Sequence, residues 1–237
     1  MDTKFSCGRK AKEAVLSTLK GDNPFREFST LLESFSAQQL VCPLFSGVLQ
    51  PDQYVRWHAV TAFGLLLPAL WDESPERARV LLRRFIWNLN EESGGIGWGM
   101  PEAMAESIGA VSELAAEFTN VFLSYIHEKE GPDNFLDHAP LRRGALWGVA
   151  RLAQLRPDLA QNACPDLLHH LATEQDPECL GLVCLALSLL PTCTLTSAEV
   201  QHLNRLSDTT ASFTLYWNRS LHTVTVGQLA RQAEPTP

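Results

Sequence analysis

Apolar residues recur at intervals of three and four through most of this 237-residue chain. Val55, Ala59, Ala62 and Leu66 make one stripe, and Ala78, Leu81, Leu82, Phe85, Ile86 and Leu89 make the next. Phe118, Val121, Phe122 and Tyr125 follow, then Leu141, Ala145, Val149 and Leu152. Leu167, Leu168 and Leu171, and then Leu182, Ala186 and Leu189, close the series. On a 3.6-residue helix each set falls on one face, so the pattern predicts amphipathic helices of about 10–16 residues. Alternating segments are almost absent before residue 210. Proline marks the starts: Asn23-Pro24, Ser74-Pro75, Met100-Pro101, Ala139-Pro140 and Asp176-Pro177 each precede a helical stripe. At the first helical position its missing N–H is no loss and its φ is already helical. Asn23, Ser74 and Asp176 suit N-caps, and Thr196 with Glu199 has capping-box spacing.

The helices repeat in pairs. One helix of each pair reads AVTAFGLL from Ala59, AMAESIGAV from Ala103, GALWGVARL from Gly144 and GLVCLALSL from Gly181. Aligned on Gly64, Gly109, Gly148 and Ala186, they are 45, 39 and 38 residues apart, and Pro101 and Pro140 each fall eight residues before their glycine. A period of about 40 residues with two helices per unit is the HEAT signature. The small residue lets helices approach closely, and stacking buries the apolar face each pair leaves open. The expected fold is all-α: an α-α superhelix, a HEAT-like helical-repeat solenoid over residues 1–207. Beyond it, Ala211 to Gly227 holds two β-branched and aromatic runs around a polar Asn218-Arg219-Ser220 turn, which predicts a β-hairpin. With a short helix from about Gly227, residues 208–237 are expected to form a C-terminal cap.

Asp52-Gln-Tyr-Val-Arg56-Trp-His-Ala59, followed by Ala62-Phe-Gly64, resembles the Asp-x-x-Val-Arg-x-x-Ala…Ala-Leu-Gly pattern of HEAT-like repeats, a group that includes the repeats related to phycobilisome bilin lyases. NLNEESGGIGWGMPEAMAE from Asn88 and NFLDHAPLRRGALWGVARLA from Asn134 resemble a bacterial family of HEAT-like proteins. The resemblance covers roughly residues 36–192. It implies a fold and a habit of binding, not a reaction.

Composition narrows the function. The chain is 45% hydrophobic and 19% charged, with a formal charge of -8. That charge disfavours a broad nucleic-acid footprint, although Arg83, Arg84, Arg142, Arg143 and Arg151 are unevenly placed and leave room for a local basic patch. No stretch has the apolar length of a signal peptide or a bilayer span, so a cytoplasmic location and no membrane partner are expected. None of the six cysteines forms a Cys-x-x-Cys pair. With Cys42, Cys164 and Cys184 among apolar neighbours, they read as buried, reduced small hydrophobes.

The candidate site residues cluster in the second and third repeats. Four glycines in six positions, Gly94 to Gly99, precede a helix start and carry Trp98. Such a loop can cradle an anion or close over a ligand. It can equally be a tight structural connection, and Glu91 and Glu92 would repel an anion. Arg142 and Arg143 fall in a first helical turn, where the dipole disfavours positive charge. They call for compensating acids, and Glu102, Glu106, Glu91, Glu92 and Asp137 are the candidates; otherwise they form a groove for a carboxylate partner. His138 with Glu102 and Glu106 is a weak metal set. His127-Glu128 is the only His-Glu dipeptide, which makes a likeness to HEAT-like di-iron hydroxylases poor. Of six tryptophans most are expected in the core, with Trp57, beside Arg56, and Trp98 lining a partner groove and Trp147 a further contact. No catalytic residue, metal or cofactor is expected. The leading function is a non-catalytic scaffold for a protein or peptide; the competing one is an enzyme or small-ligand binder centred on the Gly94–Gly99 loop.

Overall fold

A computed structural model describes residues 3–90, 97–128 and 134–234. Glu91, Glu92 and the first half of the Gly94–Gly99 loop, residues 94–96, therefore lie outside the described residues. The chain divides into two compact units, Met1–Phe118 and Thr119–Pro237.

The first unit holds α1 (Thr3–Lys20), α2 (Pro24–Ser34), α3 (Ala37–Val48), α4 (Gln53–Glu73), α5 (Pro75–Leu89) and α6 (Met100–Ala110), and α7 (Ser112–Ser124) begins in it. α4 is buried on most sides and packs on α3, α5 and α6. Phe45, Phe63 and Phe85, one from each of α3, α4 and α5, meet with ring centroids 5.1–5.5 Å apart. Such tilted and edge-on contacts suit aromatic quadrupoles. The proline punctuation holds: Pro24, Pro75 and Pro101 each sit in the first turn of a helix. Asn23 and Ser74 occupy N-cap positions without a side-chain cap bond, whereas Asp52 accepts from Tyr54 and Val55 N–H. Pro43 and Pro68 depart from the pattern by lying inside α3 and α4.

The second unit holds α8 (Ala139–Leu155), α9 (Pro157–Ala160), a 3-10 turn at Gln161–Ala163, α10 (Cys164–Thr173), α11 (Pro177–Ser188), α12 (Ser197–Leu206) and α13 (Val226–Ala233). α11 packs on α8, α10 and α13. Asp176 caps α11, accepting from Cys179 N–H at 2.9 Å, and Thr196 with Glu199 makes the expected capping box. Between α12 and α13 stand β1 (Ser212–Trp217) and β2 (Ser220–Thr225), an antiparallel hairpin in register Ser212↔Thr225 to Trp217↔Ser220. The turn is two residues rather than three: Asn218 and Arg219 both have positive φ, 50° and 66°. This handedness matches the twist of paired strands. The hairpin is tied to α8 by Trp147, whose Nε1 donates to Tyr216 O at 2.7 Å, and α13 packs on α11.

The fold is thus all-α and helical-repeat in class, with a small C-terminal hairpin. The register helices pack on one another within each unit, α4 on α6 and α8 on α11. At Gly64 a Cβ would come within 3.2 Å of Glu106 O, so the glycine sets the α4–α6 approach. The cysteines correct an expectation. Cys164 and Cys193 are joined in a disulfide, and Cys42 is exposed; Cys179 and Cys184 alone, among the described cysteines, are buried and reduced. Residues 164 and 193 are brought together because the loop after α11 folds back to the start of α10, a pairing that local apolar neighbours do not reveal.

Candidate functional site

The arginines expected to need acids have them. Arg142 stands in the first turn of α8 and grips Glu174 with two bonds, Nε–Oε2 at 2.8 Å and Nη2–Oε1 at 3.2 Å. Its Nη1 donates to Leu136 O and Asp137 O at 2.7 and 2.9 Å, and the guanidinium lies over the Phe135 ring. Arg143 pairs with Asp176 at 2.5 and 2.9 Å and with Glu178 at 3.0 Å. The compensating acids therefore come from the end of α10, Glu174, and the start of α11, Asp176 and Glu178, one repeat later. Burial is the largest single influence and works against the charges of both Arg142 and Glu174, yet hydrogen bonds and neighbouring opposite charges together exceed it: the guanidinium is held above its ordinary value and the carboxyl below. Asp176 is held down at about 2, chiefly by the Arg143 bond, against the opposing effect of burial. Such bidentate, partly buried pairs fix geometry. His138 is the exposed N-cap of α8 and its carbonyl accepts from Leu141 and Arg142 N–H. Trp147 is only 3% exposed and lies in the core, with the Trp217 ring edge-on to it.

The first unit presents a different chemistry. Gly99, at φ 71°, is the N-cap of α6, a conformation that side chains other than glycine rarely adopt. Two residues into α6, after Pro101, stands Glu102. Its Oε2 is covered and makes no hydrogen bond among the described residues. Burial pushes its carboxyl up to about 7, against the pull of its own backbone N–H and the charge of Arg56. Glu106, one turn on, is buried against Gly64. The fold brings Glu102 and Arg56 into electrostatic reach; Trp57, on α4, is half-buried. No group of three or more His, Cys, Asp or Glu able to hold a metal occurs among the described residues.

A second surface of this unit was, Trp98 apart, not among the sequence-derived candidates. Trp87 is 69% exposed, Leu49 66% and Val80 54%, and Trp98 is 43% exposed. Trp87, expected with the core tryptophans, is corrected to a surface residue. Val80 and Trp87 are seven apart on α5 and lie opposite its core stripe of Ala78, Leu81, Leu82, Phe85 and Leu89. That mismatch is the signal by which the sequence could have shown them. Gly97 and Gly99 seat the Trp98 turn against Asn88 at the end of α5 and Val48 at the end of α3. Leu49, Trp87 and Trp98 are therefore gathered where those two helices end. Arg84, on the same face of α5, lies 3.8 Å over the Phe45 ring of α3 and reaches Cys42 Sγ at 3.7 Å.

Fold and surface together define a helical-repeat protein with an exposed apolar and basic face. No family model matches the chain, and no curated protein matches it. Among solved structures it is similar to a designed armadillo repeat protein, with 11% identity, 98% of this chain and 94% of that one covered, and a TM-score of 0.48. It is also similar to an engineered protein, with 14% identity, 94% of each chain covered and a TM-score of 0.49. No described helix is long and apolar enough to cross a membrane.

Proposed function

We propose that this chain is a non-catalytic, HEAT-like adaptor that holds a protein or peptide on its first unit. The observation that carries this reading is the distribution of exposed large apolar side chains. Among the described residues, Leu49, Tyr54, Val80, Trp87 and Trp98 belong to the first unit, and only Leu155 to the second. Burying such side chains is the main source of interface stability, and tryptophan and arginine are the residues most often dominant there. In this reading Arg56, Trp57 and Trp98 border the contact face. Arg142, Arg143 and Trp147, whose charges and ring are engaged within the second unit, maintain that unit's shape. A photo-reactive phenylalanine analogue in place of Trp87 is expected to crosslink a polypeptide in cells, and one in place of Arg205, on α12, is not. Equal crosslinking at both sites would defeat the proposal.

A second reading, a small-ligand site at the α6 N-terminus, is favoured by one fact: the unbonded, covered Oε2 of Glu102. Native mass spectrometry separates the two readings. A stoichiometric small molecule or metal retained by the protein and lost in Glu102→Gln would support the second.

A further inference from the structure

We propose that the α3/α5 face takes an acidic peptide segment carrying large apolar side chains. The inference rests on the adaptor reading and names its partner's chemistry.

The chain as a whole carries a charge of -8, yet α5 holds Arg77, Arg79, Arg83 and Arg84 against a single acid, Glu76. Two of these arginines are answered internally: Arg79 forks onto Glu117 at 2.6–3.0 Å, and Arg83 meets Glu76 at 2.6 Å. Among the described residues no carboxylate is paired with Arg77 or Arg84. Arg77 is the third residue of α5, in a first turn whose exposed N–H groups already carry partial positive charge. The acid of that turn, Glu76, is engaged by Arg83 and Arg79, so Arg77 adds to the positive field that favours an incoming anion. Arg84 is exposed, its guanidinium carbon lies 3.8 Å over the Phe45 ring, and its Nη1 donates to Cys42 Sγ at 3.7 Å. A guanidinium already held against a ring loses less side-chain entropy when it binds a carboxylate.

The apolar part of the face is continuous with this charge. Val80 lies between Arg77 and Arg84, and Trp87 follows one turn later, on one side of the helix. Trp87 leads to the corner where Leu49 and Trp98 stand exposed. From Arg77 to Trp87 is about 15 Å, which roughly ten helical or five extended residues would span. A nucleic acid fits less well. It would face two arginines without carboxylates and four large apolar side chains, on a protein whose net charge repels a polyanion. A peptide with carboxylates set among Leu, Phe or Trp satisfies both halves of the face.

The test uses the full chain and a displayed library of random 15-residue peptides. Enriched peptides are expected to be net acidic and to contain large apolar residues. Made synthetically, they are expected to bind Arg77→Glu/Arg84→Glu and Trp87→Ala at least tenfold more weakly than wild type. Binding to Arg205→Glu, exposed on α12, is expected to be unchanged. All four positions are exposed, so folding is retained, as circular dichroism will check. Enriched peptides without acidic bias that still need Trp87 overturn the acidic partner and leave the adaptor reading standing. Failure of any peptide to enrich overturns both. Tighter binding of a 15-nucleotide single-stranded DNA, lost in Arg77→Glu/Arg84→Glu, overturns the peptide as occupant.

Discussion

The two units solve the same packing problem with opposite surfaces. In the second, charge is answered within the unit: Arg142 and Arg143 meet Glu174, Asp176 and Glu178, Trp147 bonds into the hairpin, and Cys164 is tied to Cys193. Among the described residues of the first, Arg77 and Arg84 are left without carboxylates, Trp87 stands in solvent, and Glu102 Oε2 has no hydrogen bond. Groups that have found partners hold a fold; groups left open are what a second molecule can use. The difference is one of satisfaction rather than of residue type, since both units place arginines in first helical turns.

The sharpest way to break this comparison is to truncate one tryptophan in each unit. Trp147→Ala is expected to destabilise the protein by about 3–5 kcal/mol, because it empties core volume and orphans Tyr216 O. Trp87→Ala is expected to change stability by no more than about 0.5 kcal/mol. Urea denaturation of both variants measures this; similar losses would mean that Trp87 serves the fold. Next in size is the disulfide. It closes a sequence separation of 29 residues, for which chain entropy gives about 3.5 kcal/mol. Reduced wild type and Cys193→Ser should both lose that amount. Hydrogen exchange should place the loosening in α10 and α11, with the first unit unaffected.

The smallest effect is in pH, where the units respond at opposite ends. Glu102 has a folded value of about 7 against an ordinary 4.5. The folded state therefore holds the proton more tightly, and stability falls as pH rises from about 4.5 through 7. Glu102→Gln should remove this slope and stabilise the protein by about 2 kcal/mol above pH 7, allowing for its partial exposure. Asp176 has a folded value of about 2 against 3.8. Its contribution is present above pH 4 and is lost as pH falls toward 2. Stability measured from pH 2 to 9 in wild type and Glu102→Gln tests both limbs. A wild-type curve that is flat between pH 5 and 8 would remove Glu102 from the account.

Much of the fold was legible because helices announce themselves locally. Prolines at 24, 75, 101, 140 and 177 mark starts that the structure keeps, and the Gly64 register locates the α4–α6 approach. The hairpin too was legible, from its β-branched and aromatic runs. The site was less so. The dipole argument correctly demanded acids for Arg142 and Arg143, but it looked one repeat back for them, whereas Glu174 and Asp176 lie one repeat forward. Most tryptophans were expected in the core on residue type and Trp87 was not singled out, although its position opposite the α5 stripe pointed to solvent.

What the sequence determined by itself is what depends on near neighbours: helical periodicity, capping, the repeat interval and the β-turn. What only tertiary structure decided depends on which distant groups meet. It chose Cys193 for Cys164, Tyr216 O for Trp147, acids for two arginines of α8, and no described carboxylate for two arginines of α5. The physical reason is range. Backbone preferences act over a few residues, while desolvation and ion pairing act between side chains that chain folding alone brings within a few ångströms.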